Sequence, residues 1–169
     1  MTDIPLEEID SPGELQEILR QRKGTLVGDI HGATHCYLLR LPEDAGPAIG
    51  LAAQTHGIAP KVLLDPRSGV AFASFGSTVT AFSVKNGDIK YSKELGTPVY
   101  ELLRIDPDHS AVVLHELGLM KLSPSGERLW AHDTSLVEGH EVAGDVVTLL
   151  TEDSRCSYSL VDGTILKDS

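Results

Sequence analysis

At 169 residues and 18.1 kDa the chain is expected to form one compact domain, which excludes two large ones. Leu, Ile, Val and Phe make up 48 of the residues, enough to build a core, so disorder is not the starting assumption. Asp and Glu number 25 against 14 Lys and Arg; the net charge of -11 argues against nucleic acid or an anionic membrane as partner and favours a basic protein or a cation.

The first ten residues carry Asp3, Glu7, Glu8 and Asp10 where a secretory signal would be basic and then apolar. No apolar run approaches the length of a membrane span, so a cytoplasmic location is expected. Cys36 and Cys156 are expected as two free, buried thiols, since one pair in a chain of this length is no disulfide framework. The next segment, Ser11-Pro12-Gly13-Glu14, marks a helix start: Ser11 caps, Pro12 takes the first helical position and Glu14 completes a capping box. Leu15, Ile18 and Leu19 recur at helical spacing, Gln16, Glu17, Arg20 and Arg22 face water, and Gly24 stops the element. An amphipathic helix is therefore predicted over 11–23.

From Thr25 onward, short runs rich in Val, Leu, Phe, Tyr and Thr are broken by Gly, Asn, Asp and Pro in an all-β rhythm. Strands are predicted at 25–30, 35–41, 70–75, 78–84, 89–95, 111–117, 119–122, 128–132, 146–151 and 156–161. The segment 48–54 has small, helix-compatible residues, although Gly50 and Gly57 weigh against a helix there. Turn glycines then reveal a repeat: Gly87, Gly126 and Gly163 are spaced 39 and 37 residues apart, and each closes a strand-turn-strand unit with another apolar strand upstream. A fainter fourth copy runs from Thr25 through 36–41 to a turn at Gly46. The expected fold is mainly β, with three to four blade-like antiparallel meander repeats of about 38 residues and one N-terminal amphipathic helix. It is read as a single domain over 1–169, divided into the helix 11–23, a divergent unit 24–60 and three β-repeat units over 62–169.

The order of apolar strand, turn ending in Gly, and aromatic four residues on (Gly87 with Tyr91, Gly126 with Trp130) resembles the blades of quinoprotein and WD-like β-propellers. The resemblance covers 62–169 well and 24–60 poorly, and in its layout the chain is similar to small bacterial single-domain β-repeat proteins. Gly163 is followed by Leu166 and no aromatic, and three to four units are fewer than quinoproteins use. The vicinal cysteines and calcium-bound acid that the quinoprotein cofactor requires are not visible. The resemblance therefore implies blade-like sheets, no cofactor and nothing catalytic. Phe72, Tyr91 and Trp130 are expected in packing roles.

Among residues with chemistry, Gly28-Asp29-Ile30-His31-Gly32 after an apolar strand is similar to the first metal-binding motif of metallophosphoesterases, in which an Asp and a His hold one ion of a two-metal site. The further motifs of that family are missing: Gly87-Asp88 and Gly144-Asp145 lead into Ile-Lys and Val-Val, and Asn86 is the one Asn in the chain. Asp29, His31 and His35 are the metal candidates, with Cys36 beside them, yet Gly32 reads as a turn that separates the two histidines. His56, His109, His115, His132 and His140 lack His-Glu-x-x-His spacing and read as solvent or strand residues. There is no Gly-x-Ser-x-Gly elbow and no phosphate loop, and His35 and Cys36, adjacent on a strand, point to opposite faces. No catalytic residue is assigned.

What remains is an acidic rim of Asp106, Asp108, Glu138, Glu141, Asp145, Glu152 and Asp153 at turns and between units, suited to steering a basic protein partner. The function expected is a non-enzymatic protein-binding module, in its specific form an immunity or antitoxin-type inhibitor. A small metal-dependent phosphoesterase-like hydrolase and a self-associating structural β-repeat protein are the alternatives.

Overall fold

The computed structural model describes residues 2–41, 47–55 and 57–168; the turn expected at Gly46 and His56 lie outside them. In chain order the elements are β1 (Thr2–Asp3), β2 (Leu6–Ile9), α1 (Pro12–Gln21), β3 (Thr25–Gly28), β4 (His35–Leu39), β5 (Ile49–Ala53), β6 (Lys61–Asp65), β7 (Val70–Phe75), β8 (Thr78–Ser83) and β9 (Ile89–Glu94). They continue with β10 (Val99–Ile105), β11 (Ala111–His115), β12 (Gly118–Leu122), β13 (Arg128–Asp133), β14 (Val137–Ala143), β15 (Val146–Thr151), β16 (Arg155–Ser159) and β17 (Ile165–Asp168). They form four sheets, here blades I to IV, with strand orders β2-β4-β5-β3, β1-β6-β7-β8-β9, β10-β11-β12-β13 and β14-β15-β16-β17.

Blades III and IV are antiparallel four-stranded meanders, and blade II is the same with β1 added beside β6. Each repeat thus has four strands, one more than the sequence units show: the missing first strands are β6, β10 and β14. Blade I is the divergent one, because β3 precedes the β4–β5 hairpin in sequence and pairs with β5 in parallel. The segment 48–54, helix-compatible by composition, is β5. All five of its residues are buried, and a Cβ at Gly50 would stand 2.8 Å from Leu15 Cδ1, so the glycine lets α1 lie close to the strand. Ser11 Oγ accepts a hydrogen bond from the Glu14 N–H at 3.2 Å, as the capping signal predicts. Leu15 and Leu19 then press on Ile9, Cys36, Leu38 and Ala52 of blade I.

The blades stack face to face. One apolar cluster joins blades I and II through Ile49, Leu51, Ala71 and Phe82, a second joins II and III through Phe72, Val79, Val113 and Leu122, and a third joins III and IV through Leu114, Leu119, Leu149 and Tyr158. A middle blade therefore buries both faces of its central strands, which is why β11 reads as an unbroken apolar run, whereas the edge strands β9 and β13 alternate with polar residues. Among the described residues no cluster joins blade IV back to blade I, whose other face is covered by α1. On the outward face of blade IV Thr148 is bonded to Ser157 at 2.8 Å and Arg155 is paired with Glu141 at 2.9 Å, while Val142, Ile165 and Leu166 of the same blade are about half exposed.

The repeated glycines work between blades. A Cβ at Gly126 in blade III would fall 2.8 Å from the Tyr91 ring of blade II, and one at Gly163 in blade IV 2.8 Å from the Trp130 ring of blade III. Gly87 of blade II meets Thr25 of blade I in the same manner. The aromatic that follows a turn glycine in sequence is the seat for the glycine of the next blade.

Candidate functional site

β3 ends at Gly28, and Asp29 then folds its carboxylate back to accept the His31 N–H at 2.9 Å, making the turn that Gly32 completes. His35 lies on β4, its Nδ1 3.0 Å from Thr34 Oγ1 and 3.1 Å from Thr55 Oγ1, with its ring stacked on Tyr37 at 6.3 Å. Asp29 and His31 line one cavity, while His35 lines another beside the start of α1. The structure does not bring the three metal candidates together, and among the described residues no group of three or more His, Cys, Asp or Glu is placed to hold a metal ion.

The cavity that receives Asp29 and His31 lies between blades I and II. Blade II turns Thr78, Thr80, Ser92 and Glu94 toward it, on a face where blade III presents Met120 and Leu122 and blade IV presents Cys156 and Tyr158 to their preceding blades. The joint also has Thr25 where the later joints have Tyr91 and Trp130. The polar side chains line the space left at this joint, while Thr25 itself lies against Gly87. Two adjoining cavities lie there, of about 280 and 380 Å³, which share Asp29, Phe75 and Thr78. The first is polar, with Gln54 Nε2 donating to the Gly32 carbonyl at 2.9 Å; the second is lined by Leu26, Phe75 and Ile89.

Glu94 is anchored in this cleft: Thr78 Oγ1 donates to Oε2 at 2.9 Å and the Gly96 N–H to Oε1 at 3.3 Å. The hydroxyl of Ser77, with these two donors, outweighs burial and holds the Glu94 carboxyl below its ordinary pKa, so it is ionised at neutral pH. No lysine or arginine lines either cavity. Gln54, Thr78 and Glu94 were not among the residues that the sequence singles out; the readable signal was Thr80, whose counterparts in the later repeats are Met120 and Cys156.

The seven rim acids do not gather on one surface. Asp106 is buried, with its carboxylate 2.5 Å from Arg104 Nε and 2.6 Å from Lys121 Nζ, in close ion pairs that lie off the hydrogen-bond directions. Asp145 pairs with Arg104 at 2.5 Å and Glu141 with Arg155, while Asp108 accepts from Ser110 and lies 3.9 Å from Lys121. Asp106, Asp108 and Asp145 belong to the β10–β11 and β14–β15 turns at one end of the blades. Glu152 and Asp153 are exposed in the β15–β16 turn at the opposite end, as is Glu138 near the start of β14.

Three of the histidines read as solvent or strand residues join neighbouring blades. His109 Nδ1 lies 2.5 Å from the buried Asp65, and His140 Nε2 lies 2.8 Å from Glu101, which also holds Lys61 at 2.6 Å. His132 meets the Gly163 carbonyl and the ring of Tyr158 across the III–IV boundary. His115 is buried in blade III, its Nδ1 3.1 Å from Thr97 Oγ1.

No protein-family model and no curated protein sequence matches the chain. Solved structures do. The computationally designed Ika4 protein is similar with a TM-score of 0.51 at 13% identity, over 70% of this chain and 76% of that one. BamB from Moraxella catarrhalis is similar with a TM-score of 0.51 at 13% identity, over 86% of this chain and 52% of that one. The Pan2 WD40 domain of Neurospora crassa is similar with a TM-score of 0.50 at 9% identity, over 64% and 36%. The chain is built of β-propeller-type blades. It spans about half the length of the BamB chain and about a third of the Pan2 one; at these identities the likeness is one of fold.

Proposed function

We propose that the protein is a non-enzymatic binding module whose partner is a basic protein. The observation that carries this is how its cations are used: Lys61, Arg67, Arg104 and Lys121 are engaged in ion pairs within and between blades II, III and IV, so the acidic excess of the chain is left to the surface and to the cleft. A surface of one sign accelerates encounter with a partner of the other. The catalytic alternative has no support in geometry, because Asp29 and His31 face one cavity and His35 another. Within this reading, an inhibitor that masks a basic enzyme, of the immunity or antitoxin kind, is the specific form that small size and negative charge favour.

The test is capture on the immobilised protein from extract of its native cell, with elution along a salt gradient and identification by mass spectrometry. One basic protein retained in equal stoichiometry and released only at high salt is the expected result. Retention of nothing specific, or of acidic proteins alone, would remove the reading.

A further inference from the structure

We propose that the cleft between blades I and II is a peptide-binding groove for an extended basic-apolar segment of the partner. The inference rests on the binding-module reading and adds the place and the chemistry of contact. The two cavities share Asp29, Phe75 and Thr78 and so form one groove, with Gln54 and Glu94 at one end and Leu26 and Ile89 at the other. Together they offer a volume within the range of ligand sites, roughly 300–1,000 Å³.

The charge in the groove is of one sign. Glu94 lines the polar end and Asp29 stands where the two parts meet, and no lysine or arginine lines either part to neutralise them. Glu94 is fixed by hydrogen bonds from Thr78 and Gly96, which spares a ligand the entropy of ordering it. At the other end Ile89 is 45% exposed, an apolar side chain without full cover. The backbone on each side suits an extended occupant: β3 and β9 are the edge strands of their sheets, and strand edges beside a groove accept an added strand. A lysine or arginine toward Asp29 and Glu94, followed by an aliphatic side chain toward Leu26 and Ile89, satisfies all three features. At the joints II–III and III–IV the rings of Tyr91 and Trp130 lie beneath Gly126 and Gly163, where the joint I–II has Thr25 beneath Gly87.

The test uses the whole chain, labelled with ¹⁵N, and the synthetic heptapeptide acetyl-Lys-Ser-Lys-Ser-Leu-Ser-Leu-amide, with one control in which Glu replaces Lys and another in which Ser replaces Leu. Binding with amide shifts concentrated in β3, β8 and β9 is expected, and both control peptides should bind about tenfold more weakly or not at all. The double variant Asp29→Asn with Glu94→Gln should weaken binding about tenfold, while Glu152→Gln with Asp153→Asn, at exposed turn positions that do not line the cleft, should leave it unchanged. An unaltered spectrum away from the substituted positions establishes that the variants are folded. Equal binding by the cleft variant, shifts centred elsewhere, equal affinity for the Ser control, or no binding by the heptapeptide would each overturn the groove. If salt-gradient capture still yields a basic partner in that event, the binding module stands and the groove assignment alone falls.

Discussion

Gly163 lies flat on the indole of Trp130, at a distance that leaves no room for a methyl group: a Cβ there would stand 2.8 Å from ring atom Cδ2. The glycine also has φ of +77°, a conformation that costs other residues strain. Gly163→Ala is expected to lower stability by about 2–4 kcal/mol, and Trp130→Ala by a similar amount through the cavity it leaves. Because both changes act on one contact, the double variant should lose less than the sum. Urea midpoints measure all three. Leu166→Ala, at a side chain that is 52% exposed, should shift stability by less than about 0.5 kcal/mol.

Lys121 is 7% exposed, with its ammonium 2.6 Å from Asp106 and donating to the Val161 carbonyl at 3.0 Å. Replacing it with methionine keeps the stem and leaves Asp106 with Arg104 alone. Breaking one partner of a buried pair costs about 3–5 kcal/mol, and the surviving arginine should hold the loss near the lower end. Equilibrium unfolding of Lys121→Met decides the matter, and a change below about 0.5 kcal/mol would show that the ammonium adds nothing to the III–IV joint.

Two buried groups set opposite parts of the acid limb. Burial alone would raise the pKa of Asp65, but hydrogen bonds from Ser68, His109 and Arg67 prevail and hold it well below the ordinary carboxylate value. Its contribution is complete above the unfolded pKa of about 3.9 and fades as pH falls below that toward the folded value. Asp65→Asn should therefore flatten stability against pH below about 4.

His115 behaves differently: burial holds its pKa below the unfolded value of about 6.5, with Asp133 opposing, so on acidification the unfolded chain takes up a proton before the folded one does. Stability should decline as pH falls below about 6.5, and His115→Gln should remove that slope. Urea midpoints from pH 8 to pH 3 check both signs.

Cys36 is 2% and Cys156 7% exposed, and burial raises the pKa of the Cys36 thiol. A thiol reagent at neutral pH is expected to label neither in the native protein and both in denaturant, as followed by mass spectrometry. Rapid labelling of Cys36 without denaturant would mean that α1 lifts from blade I.

The strands visible in the sequence are those whose neighbours are apolar on one or both sides. Val70–Phe75 and Val146–Thr151 have the predicted bounds, and the helix and its Ser11 cap were equally plain. The first strands of the repeats were hidden because polar residues in them are met by other blades. β10 carries Glu101 and Arg104 in its middle, which read as loop until Lys61, His140, Asp106 and Asp145 are seen to meet them. β5 was hidden for another reason: Gly50 and its alanines fit a helix by propensity, and only contact with Leu15 and Leu19 explains the glycine. The metal motif was legible as a strand followed by a turn, and turn geometry accounts for Asp29 and Gly32. The cleft was illegible because its lining comes from the end of β3 and from β5, β8 and β9, which only the packing of blade I on blade II brings together.

Among the described residues blade IV shares an apolar cluster with one blade, whereas blades II and III each share one with two. Cooperativity in such a stack is carried from neighbour to neighbour, so the free energy that holds an element rises with the number of boundaries it shares. Opening should therefore begin at β15–β17 and travel inward like a zipper drawn from one end. Amide exchange at Leu149 should outrun that at Val113, and a short-lived species in which three blades hold while the fourth is loose should precede complete unfolding.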